Sequence, residues 1–463
     1  MSCQTKFTNE NSRKYSINLL EEPVLYMLYI RMRCILVILD GIGDRGQDCF
    51  DGKTPLYAAY TPHLDYLASI GMNGLYHTVI QGIPMSSETA HFIIFGYDKA
   101  EFPGRGYVEA KGKGIPVQDD EVAILCHLCC VERKNENLML TWGRPEITYE
   151  QAYELKEAIK YFETDQIRIH LMPSRGIDGF IILNGDVTDK ITDSDPIYEG
   201  RAVMEILPIF QKKISASSGK TVTALNKYLI WSYQKLSGHQ INRDRISRNL
   251  TPVNALVTQR AGKKNYLQSF NEKWGLRGLS ISSGAIYWGL CNELGMDVIK
   301  VKDTGNVEED LKYRLRYAKD AHDYDFIHVH TKMPDEAGHS KNPWYKKEVI
   351  EAIDRAMSVA VKEIIPDREV LLVIAADHST ASSGSMIHTG ETVPLTMAGK
   401  YVRKDEVGYF NEIACAGGSL SIIKGRELMH LILNFLDRAK MQGLMDTPVD
   451  QPYYPGNYKP LKL

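Results

Sequence analysis

Four stretches that lie far apart in the chain together carry the side chains of a two-metal site. They are VILDGIGD at 37–44, SSETAH at 86–91, MPDEAGH at 333–339 and AADHSTASSGSMIHTG at 375–390. Their candidate ligands are three aspartates, three histidines and one serine, namely Asp40, Asp335, Asp377, His339, His378, His388 and Ser87. Carboxylates, imidazoles and a bridging hydroxyl are the donors that two divalent cations share around a nucleophile. The set predicts phosphoryl transfer.

Ser87 is the candidate nucleophile. A serine hydroxyl is inert near neutral pH until a metal or a base lowers its pKa, and a metal does this without a histidine partner. Ser86 is the competing candidate, and both serines could simply cap the helix predicted for ETAHFIIFG. The two roles are compatible, because a helix N-terminus offers a phosphoryl group N–H donors and the positive end of the helix dipole.

Each candidate metal ligand also has a purely structural interpretation. Asp40 follows an apolar strand and precedes a glycine, so it could be an ordinary turn aspartate. Asp335 and His339 could be a helix cap and a solvated histidine, although D-x-x-x-H can also place both side chains on one cation. Asp377 and His378 close a very apolar strand, where a buried Asp–His pair without partners would be costly. Ligation is therefore favoured at that strand end.

Basic side chains near these stretches are candidates for contact with substrate. His330 and Lys332 lie near the end of the strand predicted for FIHVHT, and Lys332 could protonate or stabilise a leaving oxygen. Arginine forks bind phosphate and carboxylate through paired hydrogen bonds. We expect this role of Arg260 first, and then of Arg175 and Arg105. Arg105 lies in GRGYVEAKGKG, which is rich in glycine but does not match a nucleotide-binding motif.

Composition narrows the class of protein. The chain has 463 residues and a formal net charge of −3. That length predicts two lobes, or a core with a large insertion. The absence of a basic surplus argues against nucleic acid or an anionic membrane as a partner. Eight scattered cysteines, including the C-x-x-C of CHLCC at 126–130, favour reduced thiols in a cytoplasmic protein over a disulfide framework or a zinc site.

Strand and helix patterns alternate along most of the chain. Apolar strands are predicted at CILVILD, at NALVTQR (254–260), at FIHVHT (326–331) and at VLLVIAAD (370–377), with helical patterns between them. This alternation is typical of an α/β fold with a mostly parallel sheet flanked by helices. Ligands bind such sheets beyond the carboxyl ends of the strands. We therefore expect the three candidate aspartates to face one crevice.

The remaining segments predict the domain organisation. Residues 119–215 combine strands and a helix in a different pattern, which we interpret as a smaller inserted α+β cap domain on the same site. The core then comprises residues 32–118 and 216–463, and residues 1–31 form an N-terminal extension that is neither a signal peptide nor a membrane span. The acidic segment DVTDKITDSDP at 186–196 lacks the pattern of a calcium loop, so we expect a solvated turn.

The chain resembles the archaeal-type cofactor-independent phosphoglycerate mutases of the alkaline phosphatase superfamily, from about Arg33 to about Leu444. The stretches that carry the resemblance include DGIGDRG, GKTPLYAAYTPHLDYLASIG, SSETAHFIIFGYD, GRGYVEAKGKGI, TDSDP, VTQRAGK, DFIHVHTKMPDEAGH, AADHST, HTGETVPL and CAGGSLSIIKGRELM. No single stretch is specific, but a series this long in one order is. The resemblance implies an alkaline-phosphatase-like core with an inserted domain.

The resemblance also implies an activity and its cofactors. It implies an isomerase of glycolysis and gluconeogenesis that interconverts 3-phosphoglycerate and 2-phosphoglycerate through a phosphoserine, without 2,3-bisphosphoglycerate. One metal would be held by Asp335, His339 and His388, and the other by Asp40, Ser87, Asp377 and His378. Manganese is preferred, and magnesium, zinc or cobalt would also suit these ligands. A homo-oligomer is compatible with it. Two departures concern the nucleophile loop: Glu88 stands where the archaeal branch usually has aspartate, and Met85-Ser86 replaces a more usual Pro/Gly pair.

Other functions remain open from the residues alone. A metal-dependent phosphatase or another phosphomutase on the same core would share every metal ligand. A non-catalytic metal- or phosphate-binding protein is a second alternative, but the presence of all seven candidate ligands argues against it. A nucleotide-binding dehydrogenase is excluded because no G-x-G-x-x-G follows CILVILD.

Overall fold

The computed structural model describes residues 32–164, 166–209 and 216–463. The predicted N-terminal extension at 1–31 therefore lies outside the described residues. None of the described helices combines the length and apolar character that crossing a membrane requires. The described cysteines are all free thiols, and CHLCC lies in a buried strand, as its sequence predicts.

The strands are numbered here in chain order. They are β1 (Arg33–Leu39), β2 (Met72–His77), β3 (Val122–Lys134), β4 (Asn137–Trp142), β5 (Tyr161–Glu163), β6 (Ile167–Pro173), β7 (Asp178–Gly185), β8 (Ala255–Lys263), β9 (Gly278–Ser282), β10 (Asp297–Lys300), β11 (Phe326–Thr331), β12 (Val370–Ala375), β13 (Val393–Ala398) and β14 (Ser421–Lys424).

The α-helices are numbered in the same way. They are α1 (Pro55–Ala58), α2 (Pro62–Ile70), α3 (Ser87–Ile94), α4 (Arg105–Gly112), α5 (Tyr149–Ala158), α6 (Ala216–Ser237), α7 (Gln240–Ser247), α8 (Phe270–Trp274), α9 (Ala285–Glu293), α10 (Val307–Asp320), α11 (Met333–His339), α12 (Pro343–Val359), α13 (Glu412–Cys415) and α14 (Glu427–Phe435).

Within the described residues, eight strands form the main sheet, in the order β10-β9-β11-β1-β12-β13-β2-β14. The run from β10 to β12 is parallel, and β13 is antiparallel to both of its neighbours. The central strand β1, RCILVIL, is buried along its whole length. A nearly continuous apolar run is what a parallel strand covered by helices on both faces requires. The predicted α/β fold with a mostly parallel sheet is confirmed.

The candidate ligands leave this sheet at one edge. Ile38 of β1 is in register with His330 of β11 and with Ala375 of β12. The residues that follow these positions therefore emerge side by side, because parallel strands all end at the same edge. The segments that carry Asp40, Asp335 and Asp377 all start from this edge.

The second sheet is antiparallel, in the order β4-β3-β7-β6-β5, with β8 also paired to β3. Strands β3 to β7 of this sheet lie between residues 119 and 215, where the sequence predicts strands and a helix. The predicted helix is α5. The strand predicted at 254–260 is present, but as β8 it joins this sheet and not the parallel one. Helix α6 packs on the same sheet through Leu225 and Tyr228. The second sheet and its core thus continue past residue 215, because an apolar strand pattern does not specify which sheet the strand joins.

The end of the acidic segment at 186–196 is not the solvated turn that its composition predicts, whereas Asp186 and Lys190 are exposed. Ser194 is fully buried and Asp195 nearly so. The Ser194 hydroxyl accepts a hydrogen bond from the Thr258 N–H at 2.8 Å, and the Gln259 amide donates to Asp195 at 2.5 Å. The turn therefore packs against β8, and its side chains stabilise that strand.

Candidate metal centre

The loop after β1 brings Asp40 to the centre of the site. Gly41, which follows it, has φ +65°, and a Cβ on Gly41 would lie 2.6 Å from Thr380 Oγ1 and 2.8 Å from Asp335 Cβ. Only glycine tolerates this conformation and this close approach. The absent side chain lets the β1 loop, α11 and the loop after β12 meet around the buried carboxylate of Asp40.

Lys346 on α12 holds two of these loops together from behind. Its ammonium group is fully buried and donates hydrogen bonds to the carbonyl oxygens of Gly41 (2.9 Å), Gly43 (2.8 Å) and Thr380 (2.6 Å). It also forms an ion pair with Asp44 at 3.1 Å. Burial lowers the pKa of Lys346, and Asp44 opposes that shift. The lysine is thus a structural brace under the metal-binding loops.

Replacing Lys346 with methionine should destabilise the fold by about 3–5 kcal/mol, because the buried Asp44 carboxylate would lose its cation. The midpoint of urea unfolding measures this. Lys347→Met is the matched control, since Lys347 pairs with Glu351 near the surface and such pairs contribute only about 0–1 kcal/mol. Equal losses of stability in the two variants would contradict the role of Lys346 as a brace.

Asp335, His339 and His388 form the first group of three candidate ligands. His339 Nε2 lies 3.1 Å from Asp335 Oδ2, and His388 Nε2 lies 3.4 Å from Asp335 Oδ1. Asp335 and His339 are one helical turn apart on α11, so both side chains point to the same side. One donor atom from each of these three residues lies within 4.8 Å of the other two. They match the first ligand set that the resemblance implies.

A second group forms around His378. Its Nε2 lies 2.9 Å from Ser87 Oγ, 3.2 Å from Asp377 Oδ2 and 3.4 Å from Asp40 Oδ1. These are the four residues that the resemblance assigns to the second cation. However, the second group of three residues whose donor atoms all lie within 4.8 Å of one another consists of Asp40, His378 and Asp335. Asp335 thus belongs to both groups.

The carboxylates of Asp40, Asp335 and Asp377 repel one another electrostatically. Burial, and then repulsion by Asp377 and Asp335, raise the pKa of Asp40 well above its usual value. Burial, followed by repulsion from Asp335, raises the pKa of Asp377 to about 7. Burial also acts to raise the pKa of Asp335, but hydrogen bonds from His339 and His388 outweigh it and lower that pKa. Cations bound among these carboxylates would relieve this repulsion.

The side chains present fit two divalent cations. Asp40 Oδ1 and Asp377 Oδ2 are buried and accept no hydrogen bond from any described residue. An unpartnered buried carboxylate oxygen is costly unless it coordinates a metal. Burial lowers the pKa of His378, which keeps its imidazole neutral, as a metal ligand must be. Mixed oxygen and nitrogen donors suit manganese, zinc, cobalt or magnesium.

Two residues near the centre were not predicted as site residues. His91, one helical turn after Ser87, is fully buried, and its Nδ1 lies 2.8 Å from the Ser87 carbonyl oxygen and 3.5 Å from Asp377 Oδ2. Its spacing within SETAH was the available signal. Tyr287 on α9 donates a hydrogen bond from its hydroxyl to Asp40 Oδ2 at 2.7 Å. Nothing in the sequence around Tyr287 indicates this contact.

The Tyr287→Phe variant tests whether this hydroxyl positions Asp40. Outer residues that orient metal ligands contribute about 10–100-fold to metal affinity. We expect Tyr287→Phe to weaken manganese binding, measured by titration calorimetry, by about that factor with little change in the melting temperature of the metal-free protein. Tyr107→Phe is the control, because Tyr107 donates to Glu293 instead. Unchanged manganese affinity in Tyr287→Phe would contradict the positioning role.

His330 does not lie where a substrate contact requires it. The sequence places it on the substrate side of the strand end, but the structure buries it completely, with Nε2 3.0 Å from Asp40 Oδ2 and its ring 4.0 Å from that of Tyr287. His330 therefore supports Asp40 from behind. His328 on the same strand is also fully buried, and its ring centroid lies 5.1 Å from that of Phe95.

Lys332 lies at the edge of the site and is half-exposed. Its ammonium group forms an ion pair with Glu336 and lies 4.0 Å from Asp303. Burial acts to lower the pKa of Lys332, but these two carboxylates outweigh it and raise that pKa. The side chain is thus a stable cation that can donate a proton or a hydrogen bond, and not a base.

Two of the three candidate arginines converge next to the nucleophile. Arg260 donates a hydrogen bond to Glu88 Oε1 at 2.7 Å, and Arg105 Nη1 lies 3.8 Å from Glu88 Oε2. Arg105 also borders a cavity of about 250 Å³ between α4 and the second sheet. Arg175 is exposed in the turn between β6 and β7, and the described residues record no ion pair between it and this cluster. The structure thus places Arg260 and Arg105 against Glu88, the residue after Ser87, whereas a substrate contact of Arg175 stays a prediction.

Comparison with known proteins places this geometry in a family. The model of the metalloenzyme superfamily matches residues 32–435. The chain is 41% identical over 424 residues to 2,3-bisphosphoglycerate-independent phosphoglycerate mutase 2 of Methanocaldococcus jannaschii, which covers 89% of this chain and 95% of that protein. A 2,3-bisphosphoglycerate-independent phosphoglycerate mutase of Methanococcus maripaludis is 36% identical over 416 residues, covering 89% of this chain and 100% of that protein.

Solved structures agree with these relatives. The cofactor-independent phosphoglycerate mutase from Thermoplasma acidophilum superposes with a TM-score of 0.60 at 28% identity, covering 88% of this chain and 100% of that one. The PH0037 protein from Pyrococcus horikoshii superposes with a TM-score of 0.71 at 27% identity, covering 89% and 100%. The chain therefore belongs to the metalloenzyme superfamily and, within it, to the archaeal-type 2,3-bisphosphoglycerate-independent phosphoglycerate mutases, which are isomerases.

Proposed function

We propose that this protein interconverts 3-phosphoglycerate and 2-phosphoglycerate through a phosphoserine at Ser87. The observation that carries the proposal is that Ser87 Oγ lies 2.9 Å from His378 Nε2, and that this nitrogen also lies 3.4 Å from Asp40 Oδ1 and 3.2 Å from Asp377 Oδ2. A hydroxyl held among metal-ligand side chains is a typical activated nucleophile. The relatives named above are phosphoglycerate mutases, which supports this substrate.

Two divalent cations bound by these residues would lower the pKa of the Ser87 hydroxyl and neutralise the phosphoryl oxygens. Hydrolysis of phosphate monoesters is so slow without a catalyst that enzymes accelerate it by up to ~10²¹, on the order of 28 kcal/mol. No single arginine supplies that much stabilisation. The residues that fix several charges in advance, above all the three aspartates, therefore make the largest contribution.

The start of α3 serves the phosphoryl group as well. Ser87 is the first residue of the helix, and the Ser86 side chain caps none of its backbone N–H groups. Those N–H groups remain available to phosphoryl oxygens, which the positive end of the helix dipole also favours. Ser86 Oγ instead donates to Thr89 Oγ1 at 3.2 Å. This geometry favours Ser87 over Ser86 as the nucleophile.

The steps follow from these positions. Ser87 Oγ attacks the phosphorus in line, the bond from phosphorus to the glycerate oxygen breaks, and Lys332 protonates or stabilises that leaving oxygen. Arg260 and Arg105 bind the equatorial phosphoryl oxygens or the carboxylate. Glycerate then turns within the site, and the oxygen of its other hydroxyl attacks the phosphorus. The bond from phosphorus to Ser87 Oγ breaks, and the proton of the attacking hydroxyl ends on the Ser87 oxygen. The second sheet, which supplies Arg260, excludes water during that turn.

The finer properties of the enzyme belong to the same proposal. Manganese is the preferred cation, and no 2,3-bisphosphoglycerate is needed, because Ser87 itself carries the phosphoryl group between the two hydroxyls. We expect a cytoplasmic enzyme of glycolysis and gluconeogenesis. Assembly into a homo-oligomer stays a prediction of the sequence.

One assay tests the function. Purified protein is incubated with 3-phosphoglycerate and manganese, without 2,3-bisphosphoglycerate, and both 2-phosphoglycerate and free phosphate are measured. We expect 2-phosphoglycerate to be the main product. Free phosphate as the main product would identify a phosphatase, which remains the second candidate because its metal ligands would be the same.

A further inference from the structure

Glu88 is a buried carboxylate beside the nucleophile that the proposed mechanism does not use. It follows Ser87 in the first turn of α3, and its side chain is only 5% exposed. Arg260 of β8 binds its Oε1 at 2.7 Å, and Arg105 of α4 lies 3.8 Å from its Oε2. One carboxylate thus joins three elements: the nucleophile helix α3, the helix α4 and strand β8 of the second sheet.

The backbone conformation of Arg260 directs its side chain to the Glu88 carboxylate. Arg260 has φ +54°, a left-handed conformation that is unfavourable for a residue with a side chain. Its N–H donates to Asp193 Oδ1 at 2.6 Å, which offsets part of that cost. Next to Asp193, Ser194 is hydrogen-bonded to Thr258 of the same strand. The turn at 192–196 therefore fixes the direction in which Arg260 leaves β8.

The arginines around Glu88 keep hydrogen-bond donors for a phosphoryl group on Ser87. Arg105 also donates from Nε to Glu109 Oε2 at 3.0 Å, so two guanidinium groups face two carboxylates and their charges balance. Neither arginine is buried, with 42% of the Arg260 and 33% of the Arg105 side chain exposed. Each guanidinium carries five N–H donors, so both retain donors for further acceptors. Glu88 therefore orients the two guanidinium groups and leaves donors on each for a phosphoryl oxygen.

We propose that Glu88 is a positioning residue whose bridge to Arg260 closes the second sheet over Ser87 and so determines whether the phosphoryl group returns to glycerate or passes to water. The inference rests on the proposed function, because it needs a phosphoserine at Ser87. In both outcomes the bond from phosphorus to the Ser87 oxygen breaks. A new bond forms to an oxygen of glycerate or of water, and the proton of that attacking hydroxyl ends on the serine oxygen.

The product ratio separates this role from a merely structural one. A buried ion pair that only stabilised the fold would, when broken, lower both products in proportion. Loss of closure instead admits water to the phosphoserine. The measured quantity is therefore the ratio of free phosphate to isomerised phosphoglycerate, at saturating 3-phosphoglycerate and manganese.

We expect Glu88→Gln to raise this ratio by about tenfold, and Arg260→Gln to raise it similarly, because residues that act through one contact share their effect. The double variant should then exceed neither single variant. Glu88→Asp, which keeps the charge one methylene shorter, should fall between wild type and Glu88→Gln. Asp119→Asn is the control, since it removes an exposed ion pair with Lys264 just beyond β8 and should leave the ratio unchanged.

The outcomes distinguish this inference from the proposed function. A wild-type protein that releases only free phosphate, or no product, overturns the mutase assignment itself. A wild-type mutase whose Glu88→Gln and Arg260→Gln variants keep the wild-type ratio overturns the positioning role and leaves the mutase assignment intact. If Glu88→Gln does not fold, Glu88→Asp still decides, because it keeps the charge and removes one methylene; a folded Glu88→Asp variant with the wild-type ratio overturns the positioning role.

Discussion

Replacing Ser87 with alanine is expected to lower the rate of phosphoglycerate isomerisation by at least about 10⁴-fold, because loss of the nucleophile removes the covalent route altogether. The fold should survive, since Ser87 Oγ contacts His378 at the site and packs in no hydrophobic cluster. Isomerisation is measured by the formation of 2-phosphoglycerate, and folding is measured by circular dichroism and the melting temperature.

Ser86→Ala is the matched control for this experiment. Ser86 precedes α3 and contacts only Thr89 through its hydroxyl among the described residues. We expect this variant to keep a rate within a few-fold of wild type. A wild-type rate in Ser87→Ala, or a large loss confined to Ser86→Ala, would move the nucleophile to another residue.

Replacing Asp335 with asparagine is expected to have the second largest effect. Asp335 is the one residue present in both groups of candidate ligands among the described residues, with His339 and His388 in one group and Asp40 and His378 in the other. Even outer residues contribute about 10–100-fold to metal affinity. Loss of a direct ligand that serves both positions should weaken manganese binding by more than about 100-fold, and activity should fall with it.

The measurement for Asp335→Asn is manganese stoichiometry and affinity by titration calorimetry. Wild type should bind two ions, and the variant should bind neither at the concentrations that saturate wild type. Asp320→Asn, at an exposed position paired with Lys319, should behave as wild type. A variant that loses only one ion would show that Asp335 serves a single cation, as the family resemblance alone implies.

The main features of the site followed from local sequence. Asp40 and Asp377 each come after an apolar run that is long enough for a buried strand but too short for a membrane span. Parallel strands end at a common edge, so their following residues meet. The spacing of Asp335 and His339 placed both on one side of a helical turn. The structure brings these residues together.

The shared position of Asp335 could not be predicted in the same way. It depends on how closely α11 approaches the loop after β1, and the missing side chain of Gly41 makes that approach possible. A glycine after a strand end indicates a turn, but it does not indicate which remote segment will lie against it. Distances between elements are set by packing across the whole core.

The burial of His328 and His330 could not be predicted from the sequence either. Strand alternation places His328 and His330 on one face of β11, but not under α3 and α9, where His91 and Tyr287 cover them. His330 therefore contacts Asp40, although the sequence suggested a contact with substrate. This burial depends on helices that are remote along the chain. Side-chain alternation shows on which face of a strand a residue lies, but not which helices pack over that face.

The predictions of which sheet β8 joins and of how exposed the acidic turn is were wrong for a related reason. Strand β8 has the same apolar character as a core strand, yet it pairs with β3 in the second sheet. The acidic turn at 192–196 has the composition of a solvated loop, yet Ser194 and Asp195 are buried against β8 because they satisfy its polar groups. Hydrogen-bond partners far along the chain override local composition in both cases.

The central claim is that Ser87 carries the phosphoryl group at a two-metal site, and an acid quench tests it directly. Wild-type protein is mixed with manganese and 3-phosphoglycerate, quenched in acid within one turnover, digested and analysed by mass spectrometry. The account predicts one added phosphoryl group on the peptide that contains Ser87, and none after the cations are removed by chelation. Isomerisation without any phosphorylated peptide, or phosphorylation of a different residue, would contradict it.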